Sequence, residues 1–450
     1  MPQASAAPQH SWPYRTRRFI NWFLLGLTYA TFYMGRYNLN VIKSHVEKTF
    51  LGGSQTQFGV IAMCGFWTYA LSELVNGPLA DRIGGRKAIL LGAFGAATFN
   101  MAMGLLFLGG FANHLIIFMS LLYSLNMFFQ SFGAMSVVKV NAPWFHVDER
   151  GVFGGVFGIM ISLGYVFALQ TAGWIMKHPD VLPWYATFFV PTAAMAVMFG
   201  LSWLFVRDRP SEAGFQDFST SDASDGDETP VDFKYIVQKV FTNPVLLTLM
   251  AAEFCTGFVR QSLLFFFPEW LQKVHGIAPG THYFNYAVWS ITAGGIVGGL
   301  LAGWLSDKAF QSRRPPVAFF FYLMQVVAIV GLGLVKSPLL AALGIGFACT
   351  WIFGVHGMLS GTASMDFGGK KGAASAAGML DGIQYVASGI TSVGMGMILD
   401  HFGWSAWTYS IVPFSLIGAY IMTRLWNEKP HGAKAAEALA GEGAAEPAAA

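Results

Sequence analysis

Apolar stretches of bilayer-spanning length recur twelve times in this 450-residue chain, at about 19–41, 57–79, 88–109, 114–138, 151–174, 183–206, 244–271, 284–306, 316–335, 339–364, 373–398 and 403–426. A helix needs about 20 apolar residues to cross the hydrocarbon core. Backbone groups in lipid must also be satisfied within the segment. Charged residues make up 11% of the chain, against about 25% in soluble domains. The expected fold is therefore an all-α integral membrane protein of twelve transmembrane helices.

The two halves carry matching landmarks. Arg36 lies in the first stretch and Arg260 in the seventh, 224 residues apart. GPLADR at Gly77–Arg82 and GWLSDK at Gly303–Lys308 stand 226 apart. The common offset predicts two pseudo-symmetric six-helix halves, 19–206 and 244–426. An arginine in a span costs about 2.5–3.5 kcal/mol on insertion scales, so such residues mark functional sites. Two of them, one per half, predict one small anionic ligand held between the halves.

The remaining segments are read as an N-terminal tail (1–18), a linker (207–243) and a C-terminal tail (427–450). The linker includes an acidic, Ser-rich run that cannot bury enough surface to fold alone, and it ends in VDFKYIVQKVF, a candidate surface-lying amphipathic helix. With the N-terminus inside, thirteen Lys and Arg residues fall in the first tail and the inner loops, and five in the outer loops. This bias places both termini in the cytoplasm of a plasma (bacterial inner) membrane. Cys64, Cys255 and Cys349 lie within spans and have no metal-ligand spacing. There is no P-loop, no nucleophile–base constellation and no metal cluster. The chain reads as neither an enzyme nor a nucleic-acid binder, needs no cofactor, and has enough helices to work as a monomer.

Around Arg36, the spacing of Tyr29 and Tyr33 puts all three on one helical face, extended by Asn40. A guanidinium presents a planar fork of donors suited to phosphate or carboxylate. The alternative is structural pairing with Glu73 or Glu253. Glu73 reads three ways: as a proton carrier, as a partner of a substrate amine or arginine, or as part of a structural ion pair. Tyr123, Asn126 and Gln130 share a face of the fourth span, and Asp381, Gln384 and Ser388 share a face of the eleventh. Either stripe can line a wet cavity or bond between helices. His356 in the tenth span titrates near neutrality when unperturbed, or serves as a packing residue. The Gly-rich runs at 154–158 and 293–303 read as close helix contacts.

Between spans two and three, Gly77, Asp81, Arg82, Arg86 and Lys87 resemble the cytoplasmic loop motif of the major facilitator superfamily. Asp307 belongs to its degenerate copy. The resemblance implies a role in gating. More narrowly, YATFYMGRYNLNV, CTGFVRQSLLFFFPEWL, WFHVDERG and MDFGGKKGAASAAG are similar to segments of the organophosphate:phosphate antiporter family, which includes the glycerol-3-phosphate and hexose-phosphate transporters. The similarity covers most of 15–426. It implies that Arg36 and Arg260 grip a phosphoryl group, that Tyr29 and Tyr33 orient it, and that inorganic phosphate is exchanged. Glu73 stands where the glycerol-3-phosphate branch has a lysine, and Ile161 where it has a histidine. Those departures leave open proton-coupled symport of a carboxylate such as a sugar acid. The family also includes sugar-phosphate sensors that signal to a kinase.

Overall fold

The computed structural model describes residues 10–109, 114–146, 150–218, 241–311, 313–359 and 373–428. Among these residues there are thirteen α-helices: α1 Trp12–Phe50, α2 Gln55–Ile83, α3 Gly85–Leu108, α4 Leu115–Gln130, α5 Phe132–Asn141, α6 Arg150–Lys177, α7 Ala186–Phe205, α8 Pro244–His275, α9 His282–Ala309, α10 Arg314–Leu334, α11 Pro338–His356, α12 Ala373–Phe402 and α13 Trp407–Arg424. Helices α4 and α5 together form one span, which breaks at Ser131. Beside the break, Gly133 lies under the ring of Tyr29, where a Cβ would come within 2.4 Å of it. The expected twelve spans are therefore present. Eight of them are long and apolar enough on composition alone to cross a membrane. The two that carry the buried arginines, α1 and α8, are not among those eight.

Helices α1–α7 form one half and α8–α13 the other. The halves meet where α2 packs on α12, α6 on α9, and α1 on α8. Within the second half, α9 crosses α11 closely. A Cβ at Gly294 would stand 2.3 Å from the Gly346 carbonyl oxygen, and one at Gly298 2.0 Å from that of Thr350. These two glycines of the 293–303 run are contact residues, as expected. Gly299 and Gly303 face open space. The side chains of the 154–158 run, and that of Ile161, lie outside the described residues, as do Lys370 and Lys371.

Several helices run past their expected ends. α1 begins at Trp12, so Arg15, Arg17 and Arg18 are helical rather than in a tail. It continues to Phe50, which places Lys43 inside the helix and fully buried rather than in a loop. Residues 207–218 follow α7 and return to the bundle: Phe215 meets the Tyr14 ring edge-on at 5.4 Å, beside buried Trp144. The amphipathic segment expected at the end of the linker falls largely outside the described residues.

Two prolines inside spans show how α1 ties the bundle together. A helical proline leaves the carbonyl four residues earlier without its donor, and in lipid a substitute must be found. Pro191 frees the Thr187 carbonyl, and Asn38 Nδ2 donates to it at 3.1 Å. Pro268 frees the Leu264 carbonyl, and Asn40 Nδ2 donates to that one at 3.1 Å, across the junction of the halves.

The face opposite the termini is closed by a buried charge cluster. Lys43 Nζ pairs with Glu47 of its own helix at 2.6 Å and donates to Glu269 of α8 and to Gln55 of α2. Gln55 Nε2 donates to Glu47 at 2.7 Å and to Glu269 at 2.6 Å. Lys273 pairs with Glu269 from the surface. Nearby, Asp400 at the end of α12 accepts the backbone N–H groups of Gln55 (2.8 Å) and Thr56 (2.9 Å), so one half caps a helix of the other.

Candidate functional site

Arg36 sits at mid-length of α1, at the junction of the halves, with 1% of its surface exposed. Its Nε donates to Gln130 Oε1 at 3.0 Å and its Nη1 to the Tyr385 hydroxyl of α12 at 2.9 Å. The guanidinium carbon lies 4.5 Å from the ring centre of Tyr69 and 5.0 Å from that of Tyr33, within cation–π range. Nη2 is buried without a hydrogen-bond partner. Gln130 is held in turn by Asn126, whose Oδ1 accepts from Gln130 Nε2 at 2.5 Å and whose amide donates to the Ala96 carbonyl at 2.8 Å. Tyr123 donates to the Arg36 carbonyl at 3.3 Å. The polar stripe of the fourth span is thus a brace for Arg36.

Arg260 faces it from α8, with 8% exposure. Its Nη1 meets His356 Nε2 at 3.3 Å, and its carbon lies 5.7 Å from the Tyr385 ring centre. His356 Nδ1 is 2.7 Å from Gln384 Nε2, which also donates to Glu253 at 2.5 Å. Glu253 is thereby linked to Arg260 through Gln384 and His356. Among the described residues neither arginine has a carboxylate within ion-pair distance, and both are hydrogen-bonded to neutral groups. Unpaired burial of a charge is costly, and an anion between the two would offset that cost.

Glu73 and Asp381 lie toward the face that carries the termini and face each other where α2 packs on α12, with Glu73 Oε2 4.0 Å from a Cβ built on Gly382, the neighbour of Asp381. Glu73 is 7% exposed and its Oε2 has no partner. Asp381 is half-buried and feels the charge of both arginines. Tyr29 is buried between Tyr33, in edge-on contact at 5.5 Å, and the Gly133 backbone. The expected residues of the centre, Arg36, Arg260, Tyr29, Tyr33, Glu73, Asp381 and His356, are thus gathered at one junction. Sequence reasoning did not single out Tyr69 or Tyr385. Tyr385 had a signal, because it follows Asp381 by four residues on the same face.

The motif between spans two and three is formed by helix ends rather than by a loop. α2 reaches Ile83 and α3 starts at Gly85, leaving only Gly84 between them. Gly84 has φ +92°, which favours glycine, and a Cβ there would meet the Asp208 carboxylate at 2.9 Å. Asp208 accepts the Arg86 N–H at 2.7 Å, while Arg86 Nη2 donates to the Trp203 carbonyl at 2.5 Å. Burial raises the Asp208 carboxyl above its ordinary value, against that backbone hydrogen bond. Gly77 lies against Met135, with 3.2 Å from a built Cβ to the sulfur. Asp81 pairs with Lys139 of α5 at 2.7 Å, rather than with the motif's own cations, and Arg82 is exposed. In the second copy, Asp307 pairs with Arg314 at 3.1 Å.

A twelve-helix, two-half bundle with a cationic centre at its junction defines a membrane carrier. Residues 25–392 match the Major Facilitator Superfamily. The chain belongs to that family, whose members are transporters rather than enzymes, and is an integral membrane protein. It is 26% identical over 415 residues to the glycerol-3-phosphate transporter of Bacillus subtilis (strain 168), covering 89% of this chain and 90% of that one. It is also 26% identical to the membrane sensor protein UhpC of Escherichia coli (strain K12), with 89% and 90% covered. The phosphoglycerate transporter protein of Salmonella typhimurium is 24% identical, with 89% and 86% covered. In fold, the chain superposes on an inward-facing, occupied bacterial homolog of the human lysosomal transporter Spinster. The TM-score is 0.71 at 17% identity, covering 92% of this chain and 97% of that one.

Proposed function

We propose that this transporter takes up a small phosphorylated metabolite, of the glycerol phosphate, phosphoglycerate or sugar phosphate class, in exchange for inorganic phosphate. The carrying observation is the pair of buried guanidinium groups, one from each half, that converge on Tyr385 with neutral partners and leave Arg36 Nη2 unsatisfied. The phosphoryl group bridges Arg36 and Arg260, and Tyr29 and Tyr33 orient it. Binding at both halves stabilises the occluded state, and the ligand moves the equilibrium by its differential affinity for the open and occluded forms. Both termini face the cytoplasm, so the Lys43–Glu269 cluster closes the outer face. Site charges fixed on rigid helices and a closed outer end support this reading, as do the named substrates of the relatives.

The test is counterflow: proteoliposomes loaded with unlabelled phosphate take up labelled external phosphate, with phosphate esters and sugar acids as competitors. Exchange blocked by an ester is the expected result. Arg36→Lys keeps the charge but loses the fork, and should abolish exchange in folded protein. Wild-type affinity in that variant overturns direct binding. The two UhpC relatives favour a second reading, a sugar-phosphate sensor acting with a kinase partner. Ligand-stabilised protein without any exchange would select it.

A further inference from the structure

The centre is polar in the electrical sense. Arg36 and Arg260 stand at one end, and Glu73 and Asp381 at the other, toward the terminus-bearing face. An inorganic phosphate satisfies only the first end. Among the described residues neither carboxylate forms an ion pair, and like charges set side by side are stable only with a shared proton or a bridging positive group. Glu73 Oε2 is more than nine-tenths buried and unpartnered. Tyr69, which faces Arg36 with its ring, also stands beside Glu73, and the Tyr385 ring lies against that of Tyr69 at 4.3 Å, tilted by 37°. An ammonium group between the carboxylates would meet acceptors and aromatic faces together. Beside Asp381, Gly382 leaves only van der Waals contact, with the Ala70 carbonyl oxygen 3.8 Å and Glu73 Oε2 4.0 Å from a built Cβ.

Building on the phosphate reading above, we propose that the transported ester is zwitterionic: a phosphate monoester that also carries an amine, with the phosphoryl group on Arg36 and Arg260 and the ammonium between Glu73 and Asp381. The two pairs then balance the two ends of one ligand. An ester with only hydroxyl groups leaves the carboxylate end unmatched.

The experiment is labelled phosphate exchange in proteoliposomes of the full chain, competed by O-phosphoethanolamine, ethyl phosphate and ethylamine. O-phosphoethanolamine should inhibit at a concentration lower than ethyl phosphate by about tenfold or more, the worth of one buried charge-assisted hydrogen bond. Ethylamine alone should not inhibit. Glu73→Gln and Asp381→Asn should each shrink the ratio between the two esters, a readout that lost expression does not mimic. Equal potency of the two esters with exchange intact overturns the inference and leaves the phosphate reading standing. Equal potency together with exchange that accelerates in acid assigns the carboxylate pair to a proton, and also overturns it. No phosphate exchange and no competition by any ester defeats the phosphate reading, and this inference with it.

Discussion

Replacing Glu269 by Gln tests whether the buried cluster holds the face opposite the termini shut. Glu269 is 1% exposed and Lys43 is fully buried. The carboxylate accepts from Lys43 on one oxygen and from Gln55 and Lys273 on the other. An amide has one oxygen, so its NH2 must face a donor on one side, whichever way it is turned. Breaking one partner of a buried ion pair costs about 3–5 kcal/mol. Lys43 keeps Glu47 at 2.6 Å, so the cost falls at or just below the lower end of that range, about 2–3 kcal/mol, or roughly 30- to 150-fold in the closed-to-open ratio. The assay is reaction of a Phe58→Cys thiol with a membrane-impermeant maleimide, in a background where Cys64, Cys255 and Cys349 are replaced. Phe58 is 1% exposed and lies beneath the cluster, its ring centre 5.7 Å from Lys43 Nζ. Adding Glu269→Gln should raise the labelling rate by the factor above. Adding Lys43→Gln and Glu47→Gln to Glu269→Gln should recover part of the protection, because removing all three buried charges is far less costly than stranding one. A rate in Glu269→Gln within about twofold of the parent would refute the clamp, since the pair would then bias the two states too little to gate.

Gly59→Val should open the same face. A Cβ at Gly59 would sit 2.2 Å from the Ser392 carbonyl oxygen, where α2 crosses α12, and the Phe58→Cys labelling rate is the readout. Asn38→Ala should destabilise the protein by about 1–3 kcal/mol, because the Thr187 carbonyl freed by Pro191 loses its donor. In thermal unfolding, Pro191→Ala should offset part of that loss by restoring the helical donor. Asp81→Ala should cost less than about 1 kcal/mol, since its pair with Lys139 is exposed. Asp208→Ala should cost about 1 kcal/mol or more, since Asp208 caps the start of α3 through the Arg86 N–H. Equal thermal shifts for these two variants would contradict the assignment.

What was legible in the chain followed from local pattern. Twelve apolar runs, two misplaced arginines and a repeated Asp-cation motif each declare themselves within a short window. The same windows hid the role of residues whose partners are far away in sequence. Lys43 and Glu269 are 226 positions apart, and each looks like an ordinary charge near a span's end. Tyr69 and Tyr385 look like any aromatic residue in a membrane helix until two arginines are placed beside them. The break at Ser131 has no glycine or proline run to announce it, because the packing of Tyr29 against Gly133 lies in another helix.

The asparagines of α1 had a readable cause that only their partners reveal. Asn38 and Asn40 follow Arg36 at intervals of two residues and so point to different sides of the helix. A ligand stripe would include one of them at most. Pro191 and Pro268, by contrast, each leave one carbonyl needing a donor in lipid, and two prolines in two helices that each pack on α1 need two donors on different faces. α1 supplies both, one to its own half and one across the junction. The helix that carries Arg36 is thereby tied to both halves at residues two and four positions away. The tie to Leu264 is a single neutral bond to one half's backbone, weak enough to break each time the halves part. The tie to Thr187 can persist through the same motion. On the proposed mechanism Arg36 moves with its own half, and its bond to Tyr385 is the contact exchanged for the substrate.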